Sequence, residues 1–174
     1  MTTPADLYRT CSVSARRLET LQEYDVSGDE ERFRAFLAGE PLPPPRPGKA
    51  DDLALIADLR KRGRVIGRVH VIDRPLTDYL RYELAVYAEN VAAGEDVLIA
   101  DRSAHPELEG LAQDFVIFDS ETVVLFDYDQ AGRVRGYRVT ATDPLFVKRC
   151  SGQYDLALSR SVPLSKFMAA SLNL

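Results

Sequence analysis

The 174-residue sequence has no tryptophan and only two cysteines, two histidines and two methionines. Cys11 and Cys150 stand far apart, and a chain of this length can bury a core without a disulfide staple. We therefore expect reduced thiols and a cytoplasmic protein. Two cysteines and two scattered histidines give no zinc-ligand spacing, and the glycine motifs of nucleotide-binding loops are also missing. The sequence predicts neither a metal site nor a cofactor.

Long hydrophobic runs and an excess of positive charge are missing as well. Wholly apolar runs such as Val123–Phe126 have the length of a strand, whereas a membrane helix needs about 20 apolar residues. The beginning of the chain has no apolar signal region, so we expect no secretory signal and no membrane contact. The net charge is −5, and domains that grip a phosphate backbone are usually basic. We expect no direct contact with nucleic acid.

Periodic patterns are present along the chain, and they are typical of a mixed α/β domain. Helical spacing or helix caps occur in 28–38, in 51–62, after Asp78, after Asp143 and in 164–171. Strand character occurs in 18–26, 64–73, 95–101, 114–119, 122–128 and 133–142. The helix between 64–73 and 95–101 predicts that these two strands are parallel. The predicted fold class is therefore one α/β domain with a mixed sheet, in which a strand–helix–strand unit precedes a three-stranded antiparallel meander and C-terminal helices.

Two local patterns predict particular contacts. The pair Ser27 and Glu30 has the spacing of a capping box, which predicts that a helix begins there. In the helix that starts at Asp78, apolar residues recur on one stripe, which predicts burial against the sheet. The residues of this stripe are Leu80, Leu84, Tyr87 and Val91.

The proline-rich segment Pro41–Pro47, PLPPPRP, divides the chain into two parts. We interpret 1–49 as an N-terminal arm with one helix and this connector, and 50–174 as the α/β body. The P-x-x-P spacing also occurs in recognition motifs, but a stiff extended connector between two helices is the simpler interpretation. We expect the arm and the body to form one compact unit.

Basic and aromatic side chains are concentrated between residues 68 and 83. A strand end that leads into a helix N-terminus gathers hydrogen-bond donors and a positive dipole, which favours an anionic ligand. The ligand-binding residues predicted in this segment are Arg68, His70, Arg74, Tyr79 and Arg81. The alternative interpretation is a run of surface ion pairs, such as Asp78 with Arg81.

Two aspartates at ends of the predicted meander strands, Asp114 and Asp119, complete the predicted site. Carboxylates at strand ends often contribute to ligand sites. Aspartate is equally a good residue for ending a strand, so a purely structural role is the alternative. We predict both residues as ligand-binding, and we predict no catalytic residue.

Most of the chain is covered by the stretches ARRLETLQEYDV, FRAFLAGEPLP, RVHVIDRPLTDYLRYELAVYAENVAAGEDVLIADR and DFVIFDSETVVLFDYDQAGRVRG. These stretches resemble an actinobacterial family of uncharacterised domains whose members are often encoded beside helix-turn-helix regulators. The tract with Pro75, Tyr79, Arg81 and Glu83 is the most specific part of this resemblance, whereas Val116 stands where the family usually has tryptophan. The resemblance implies no particular activity, but it makes a helix-turn-helix regulator a candidate partner.

The order of the elements also resembles, more weakly, one half of a phospholipase D-like domain. That family uses a His-x-Lys-x4-Asp motif, in which the histidine is the nucleophile and the lysine binds phosphate. Counting back from Asp119, Asp114 stands at the lysine position and Ala112 at the histidine position. The resemblance therefore implies a degenerate copy without phospholipase D chemistry, which fits a binding or sensing role.

These observations together predict a non-catalytic cytoplasmic domain, associated with transcriptional regulation, that binds a small anionic ligand or a partner protein. The alternative is an enzyme acting on a phosphorylated small molecule or a phosphodiester through Arg68, His70 and acidic partners. A structural subunit of a larger assembly is the third hypothesis. An enzyme should have a concave site with a perturbed base beside a basic group, whereas a binding domain needs only a pocket or an exposed apolar patch.

Overall fold

One mixed sheet runs through the protein and carries helices on both faces. The structure, a computed structural model, describes residues 2–140 and 143–171. The strands are β1 (Ser14–Glu19), β2 (Val65–Ile72), β3 (Asp96–Asp101), β4 (Phe115–Phe118), β5 (Thr122–Tyr128), β6 (Val134–Thr140) and β7 (Ser161–Pro163). The helices are α1 (Pro4–Thr10), α2 (Glu30–Leu37), α3 (Pro47–Lys61), α4 (Asp78–Ala93), α5 (Pro144–Ser159) and α6 (Leu164–Ser171). The predicted fold class is confirmed.

The sheet has the strand order β6-β5-β4-β1-β2-β3-β7. Strands β1, β2 and β3 are parallel neighbours, as predicted for the two strands around α4. Strands β4, β5 and β6 form the predicted antiparallel meander. The last two residues of the predicted strand 133–142 lie outside the described residues. Because the carboxyl ends of β1 and β2 lie side by side, their last residues meet at one edge of the sheet.

Local sequence signals set the ends of two helices as predicted. At the start of α4, the Thr77 hydroxyl accepts a hydrogen bond from the Leu80 amide. At the start of α5, the Asp143 carboxylate accepts hydrogen bonds from the amides of Leu145 and Phe146. The predicted capping box before α2 is wrong, because the Ser27 hydroxyl donates to Asp25 and α2 begins only at Glu30. Within the described ranges, no helix has both the length and the apolar character needed to cross a membrane.

The N-terminal part of the chain contributes a central strand to the sheet. The predicted strand 18–26 is wrong in its position, since β1 covers Ser14–Glu19 and lies between β4 and β2. Two adjacent arginines, Arg16 and Arg17, hide this strand from an apolar-alternation pattern. The boundary placed after residue 49 falls inside α3, which begins at Pro47.

The two faces of the sheet differ in composition. The face under α5 is covered by one continuous apolar cluster that includes Leu18, Val69 and Phe115. The opposite face carries two separate apolar clusters, one packed with α3 and one with α4 and α6. Cys11 and Cys150 are free thiols in different clusters. Between the two clusters of the second face, the strands carry charged side chains instead.

The predicted apolar stripe of α4 packs on this second face through three of its four residues. Leu80, Leu84 and Tyr87 are buried, but Val91 is 46% exposed, so its predicted burial is wrong. Val91 lies on the rim of a groove between α4 and α6. Val91 therefore faces away from the sheet, whereas its neighbour Asn90 in the same turn is buried.

Candidate functional site

A polar cavity of about 590 Å³ lies between the charged centre of the sheet and the covering segments. Its floor is formed by side chains from β1, from β2 and from the residue before β3. Segments from α1, from the start of α3, from α4 and from the β5–β6 hairpin form its walls. A volume of this size is typical of sites for small organic molecules.

Glu19, at the end of β1, is the hub of the cavity floor. Its side chain is only 3% exposed and lies between two arginines, with Arg17 Nη2 at 2.9 Å from Oε1 and Arg68 Nη1 at 3.1 Å from Oε2. The Tyr87 hydroxyl donates to the same Oε2 at 2.7 Å. Burial raises the pKa of Glu19, but Arg17 and Arg68 outweigh burial and hold that pKa well below its usual range.

Arg68 is fully engaged by its neighbours. Its guanidinium binds Glu95 through two parallel hydrogen bonds, at 2.7 and 3.1 Å, and its centre lies 4.8 Å from the Tyr87 ring centroid. Burial opposes the charged form, but Glu19 and Glu95 raise the pKa of Arg68 well above its ordinary value. Arg68 therefore holds the floor together and has little capacity left for a ligand.

Arg17 has spare capacity. In the part of the chain that the structure describes, its one charged partner within ion-pair distance is Glu19, and its guanidinium otherwise lies over the Phe126 ring at 5.5 Å. Among the described residues, its buried Nε has no hydrogen-bond partner. Burial lowers the pKa of Arg17, but Glu19 outweighs this and keeps the pKa well above its ordinary value. The group is a permanent cation with donors available in a half-enclosed space.

Tyrosines make up much of the cavity wall: Tyr8, Tyr24, Tyr79 and Tyr128. The ring of Tyr24 lies 5.5 Å from that of Tyr128 and 6.1 Å from that of Tyr79. Burial raises the pKa of Tyr8 to about 12, so its hydroxyl remains a donor at neutral pH. Within the described part of the chain, that hydroxyl makes no hydrogen bond. The wall thus offers aromatic faces together with a free hydroxyl.

Lys49 and Glu83 lie on the walls above the floor. Lys49 Nζ donates to the Asn90 amide oxygen at 2.7 Å, and the Glu83 carboxylate accepts from the Tyr79 hydroxyl at 2.9 Å. Burial, followed by the nearby Arg68, lowers the pKa of Lys49. In the described ranges, no basic side chain lies within ion-pair distance of Glu83. Both side chains have hydrogen-bonding capacity that no neighbour uses.

Gly132 fixes the shape of the cavity mouth. Its φ is +72°, and a Cβ at this position would lie 2.6 Å from the Glu23 carbonyl oxygen and 2.8 Å from the Tyr24 Cα. Only glycine permits this close approach of the β5–β6 turn to the segment that carries Tyr24.

The family relationship of the chain is clear from a comparison with protein-family models. The model of a domain of unknown function, DUF6879, matches residues 3–169. The chain belongs to the DUF6879 family. The resemblance to an uncharacterised family, drawn from the sequence, is thereby confirmed at this level. A search among curated proteins found no match.

The DUF6879 domain brings some of the predicted site residues together. Arg68 and Tyr79 line the cavity. His70 lies directly behind it and is fully buried, with Nδ1 2.9 Å from the Tyr87 hydroxyl and Nε2 2.8 Å from the Leu21 carbonyl oxygen. Asp114 lies behind Tyr24 and accepts hydrogen bonds from its hydroxyl and from Thr20.

The other predicted residues lie away from the cavity. Arg74 binds Asp101 at 2.6 Å, and Arg81 is 60% exposed beside Asp78. A common surface of Arg68, Arg74 and Arg81, the arrangement predicted for an anion, is therefore not formed. Asp119 accepts three consecutive backbone amides of residues 12–14 at 2.8–2.9 Å. Burial raises the pKa of Asp119, but these hydrogen bonds outweigh it and lower that pKa.

Four residues that provide much of the cavity chemistry have no place in the sequence analysis: Arg17, Glu19, Lys49 and Glu95. Glu83 lies in the segment 68–83 that the sequence analysis singled out, but it was not among the predicted ligand-binding residues. The available signal was the alternation of Arg17 and Glu19 on one face of a central strand, where apolar residues are expected. The described part of the DUF6879 domain contains no group of three histidine, cysteine, aspartate or glutamate residues placed to hold a metal ion.

Proposed function

We propose that the protein is a non-catalytic binding domain whose cavity takes a small molecule through an anionic oxygen group, a carboxylate or a phosphate. The observation that carries this proposal is Arg17, a permanent cation in a half-enclosed cavity whose buried Nε has no partner in the described chain. The Arg17 side chain as a whole is 26% exposed, so a cavity ligand reaches it through the terminal nitrogens of the guanidinium. An anionic oxygen bound there gains a charge-assisted hydrogen bond, which contributes about 1.5–3 kcal/mol.

The surroundings of Arg17 support the same role. The Tyr8 hydroxyl and Lys49 Nζ line the cavity with unused donors, and the tyrosine walls offer apolar faces to the rest of a ligand. The floor is already assembled, because Glu19 and Arg68 hold Arg17 and Glu95 in fixed places. A preformed site of this kind loses little conformational entropy on binding.

The hydrogen bonds of His70 favour a binding domain over the enzyme alternative. A general base must reach a substrate proton with a free lone pair. Both ring nitrogens of His70 face protein groups, and the ring lies behind the Tyr24 wall, 6.0 Å from the Tyr24 centroid. The aspartates at the phospholipase D positions, Asp114 and Asp119, bind backbone and side-chain donors of the protein. The proposed degenerate relationship to that family fits these roles.

Retention of small acids tests the proposal. The purified protein is dialysed against a defined mixture of carboxylic acids and phosphorylated metabolites, and mass spectrometry measures which compounds it retains. We expect wild-type protein to retain at least one acid, and Arg17→Gln to weaken that retention by about tenfold or more, since a charge-assisted hydrogen bond contributes about 1.5–3 kcal/mol.

Arg81→Gln is the matched control, because Arg81 lies on α4 outside the cavity. It should bind like the wild type. Equal loss in both variants would show that Arg17 has no specific role in binding, and retention unaffected by Arg17→Gln would refute the cavity as the site.

The cellular setting remains part of the proposal and is supported by the sequence alone. We propose that the protein is a cytoplasmic, actinobacterial domain whose interaction with a helix-turn-helix regulator depends on whether the cavity holds its ligand. Co-purification of the two tagged proteins, with and without the retained acid, tests this partnership. A complex that never forms would remove the regulator from the proposal without affecting the cavity.

A further inference from the structure

We propose that the molecule bound in the cavity is zwitterionic, with an anionic group at Arg17 and a cationic amine or ammonium at Glu83. The inference rests on the proposed function and adds the second charge of the ligand. It follows from the balance of charges in the cavity and from the groups whose bonding capacity is unused.

The charged residues of the cavity balance one another. Three basic side chains, Arg17, Lys49 and Arg68, face three acidic ones, Glu19, Glu83 and Glu95. At the exposed rim, Arg46 and Arg133 stand with Asp25 and Asp52. A ligand with net negative charge would add an uncompensated charge to this neutral, half-enclosed space, whereas a zwitterion adds none.

Internal bonds satisfy the floor but leave its two sides open. Glu19, Glu95 and Arg68 bond to one another or to neighbours through all their charged groups. On one side Arg17 has donors to spare. On the cavity wall, Glu83 accepts the Tyr79 hydroxyl, and Lys49, which donates to the Asn90 amide oxygen, acts on Glu83 only from beyond ion-pair distance. Among the described residues, Arg17 therefore has donors without an acceptor, and Glu83 has no cation in direct contact.

Aromatic rings beside Glu83 strengthen its side of the cavity for a cation. Tyr79 bonds to Glu83 through its hydroxyl, and the Tyr24 ring lies 6.1 Å from the Tyr79 ring. The face of a tyrosine ring attracts an ammonium group, and the attraction grows when the group is shielded from water. A carboxylate with two tyrosines is a suitable environment for a protonated amine.

The test compares ligands that carry one charge with ligands that carry both. ¹⁵N-labelled protein is titrated with ω-amino carboxylates of increasing chain length, starting at glycine, and with the alkanoate and the alkylamine of each length. A further pair, glycerophosphoethanolamine and dimethyl phosphate, replaces the carboxylate by a singly charged phosphodiester. Amide shifts give the dissociation constant and locate the site, and the ionic strength is matched throughout.

We expect at least one zwitterion to bind about tenfold or more tightly than its alkanoate and its alkylamine, with shifts at the cavity residues. Glu83→Gln should remove this advantage and leave alkanoate binding unchanged. Glu121→Gln, at an exposed turn outside the cavity, is the control and should behave like the wild type.

Two other results would be decisive against the inference. Alkanoates that bind as tightly as the zwitterions, with no effect of Glu83→Gln, would overturn the zwitterion and leave the proposed anion site intact. No cavity shift with any compound of either series would overturn both the inference and the proposed function.

Discussion

Replacing Glu19 by glutamine removes the one carboxylate shared by Arg17 and Arg68. Its side chain is 3% exposed and contacts both guanidiniums at about 3 Å. Removing one partner of a buried ion pair typically costs about 3–5 kcal/mol, because the remaining charge is left without compensation. Arg68 keeps both bonds to Glu95, whereas Arg17 loses its ion-pair partner. We therefore expect a loss near the lower limit, about 3 kcal/mol.

Urea unfolding followed by circular dichroism measures this loss directly. For a domain of this size, about 3 kcal/mol corresponds to a melting temperature lower by about 6–12 °C. Arg17→Met and the double variant complete a cycle, and we expect a coupling energy of about 1–3 kcal/mol between residues 17 and 19. A loss below about 1 kcal/mol in Glu19→Gln would refute the role of Glu19 as the hub of the floor.

The pH dependence of the free energy of unfolding at acid pH gives a second test of the role of Glu19. Because the folded-state pKa of Glu19 is lowered, the unfolded chain binds the proton more readily. Its stabilising contribution is present above the ordinary glutamate pKa of 4.5 and is lost as pH falls below that value. Glu19→Gln should therefore lose less stability on acidification than the wild type. An equal loss of unfolding free energy on acidification in the wild type and in Glu19→Gln would contradict the lowered pKa of Glu19.

Three further substitutions test the packing around the site. Leu84→Ala should cost about 2–5 kcal/mol in urea unfolding, while Val91→Ala stays within about 0.5 kcal/mol, because only Leu84 is buried; equal losses would refute this placement of α4. Asp119→Ala should cost about 1–3 kcal/mol at neutral pH by unpairing amides before β1, and the difference from wild type should shrink as acid protonates Asp119; a difference independent of pH would argue against that role. Gly132→Ala should destabilise by more than about 1 kcal/mol and shift the amides around Tyr24, since its Cβ would meet backbone; an unperturbed spectrum would show that the turn is not tight.

Elements with local signals were predictable from the sequence. The cap at Thr77, the Asp143-Pro144 start of α5 and the alternation in the meander each depend on residues a few positions apart, and each element forms as predicted. Strand β7, with three residues, carries no such signal. The predicted position of strand β1 is wrong because arginine occupies both its α5-facing and its cavity-facing positions. Its central place in the sheet depends on residues far along the chain.

The candidate site was less predictable for the same reason. Glu19 meets Arg68 across 49 positions of sequence and Tyr87 across 68. Local density of charge between residues 68 and 83 correctly indicated Arg68 and Tyr79 as neighbours in space, but it could not separate them from Arg81, which points away from the cavity. Spacing along a chain does not determine which of its charged side chains face a common space.

The Nε–Hε resonance of Arg17 reports most directly on whether the cavity binds an anionic group. The measurement is a ¹H–¹⁵N spectrum of the arginine side chains, recorded while the best-retained carboxylic acid or phosphate is added and assigned with Arg17→Gln. The resonance should move progressively and saturate at the dissociation constant found by dialysis, while that of the exposed Arg81 stays in place. An Arg17 signal that remains unchanged while the protein retains the acid would contradict the proposed site.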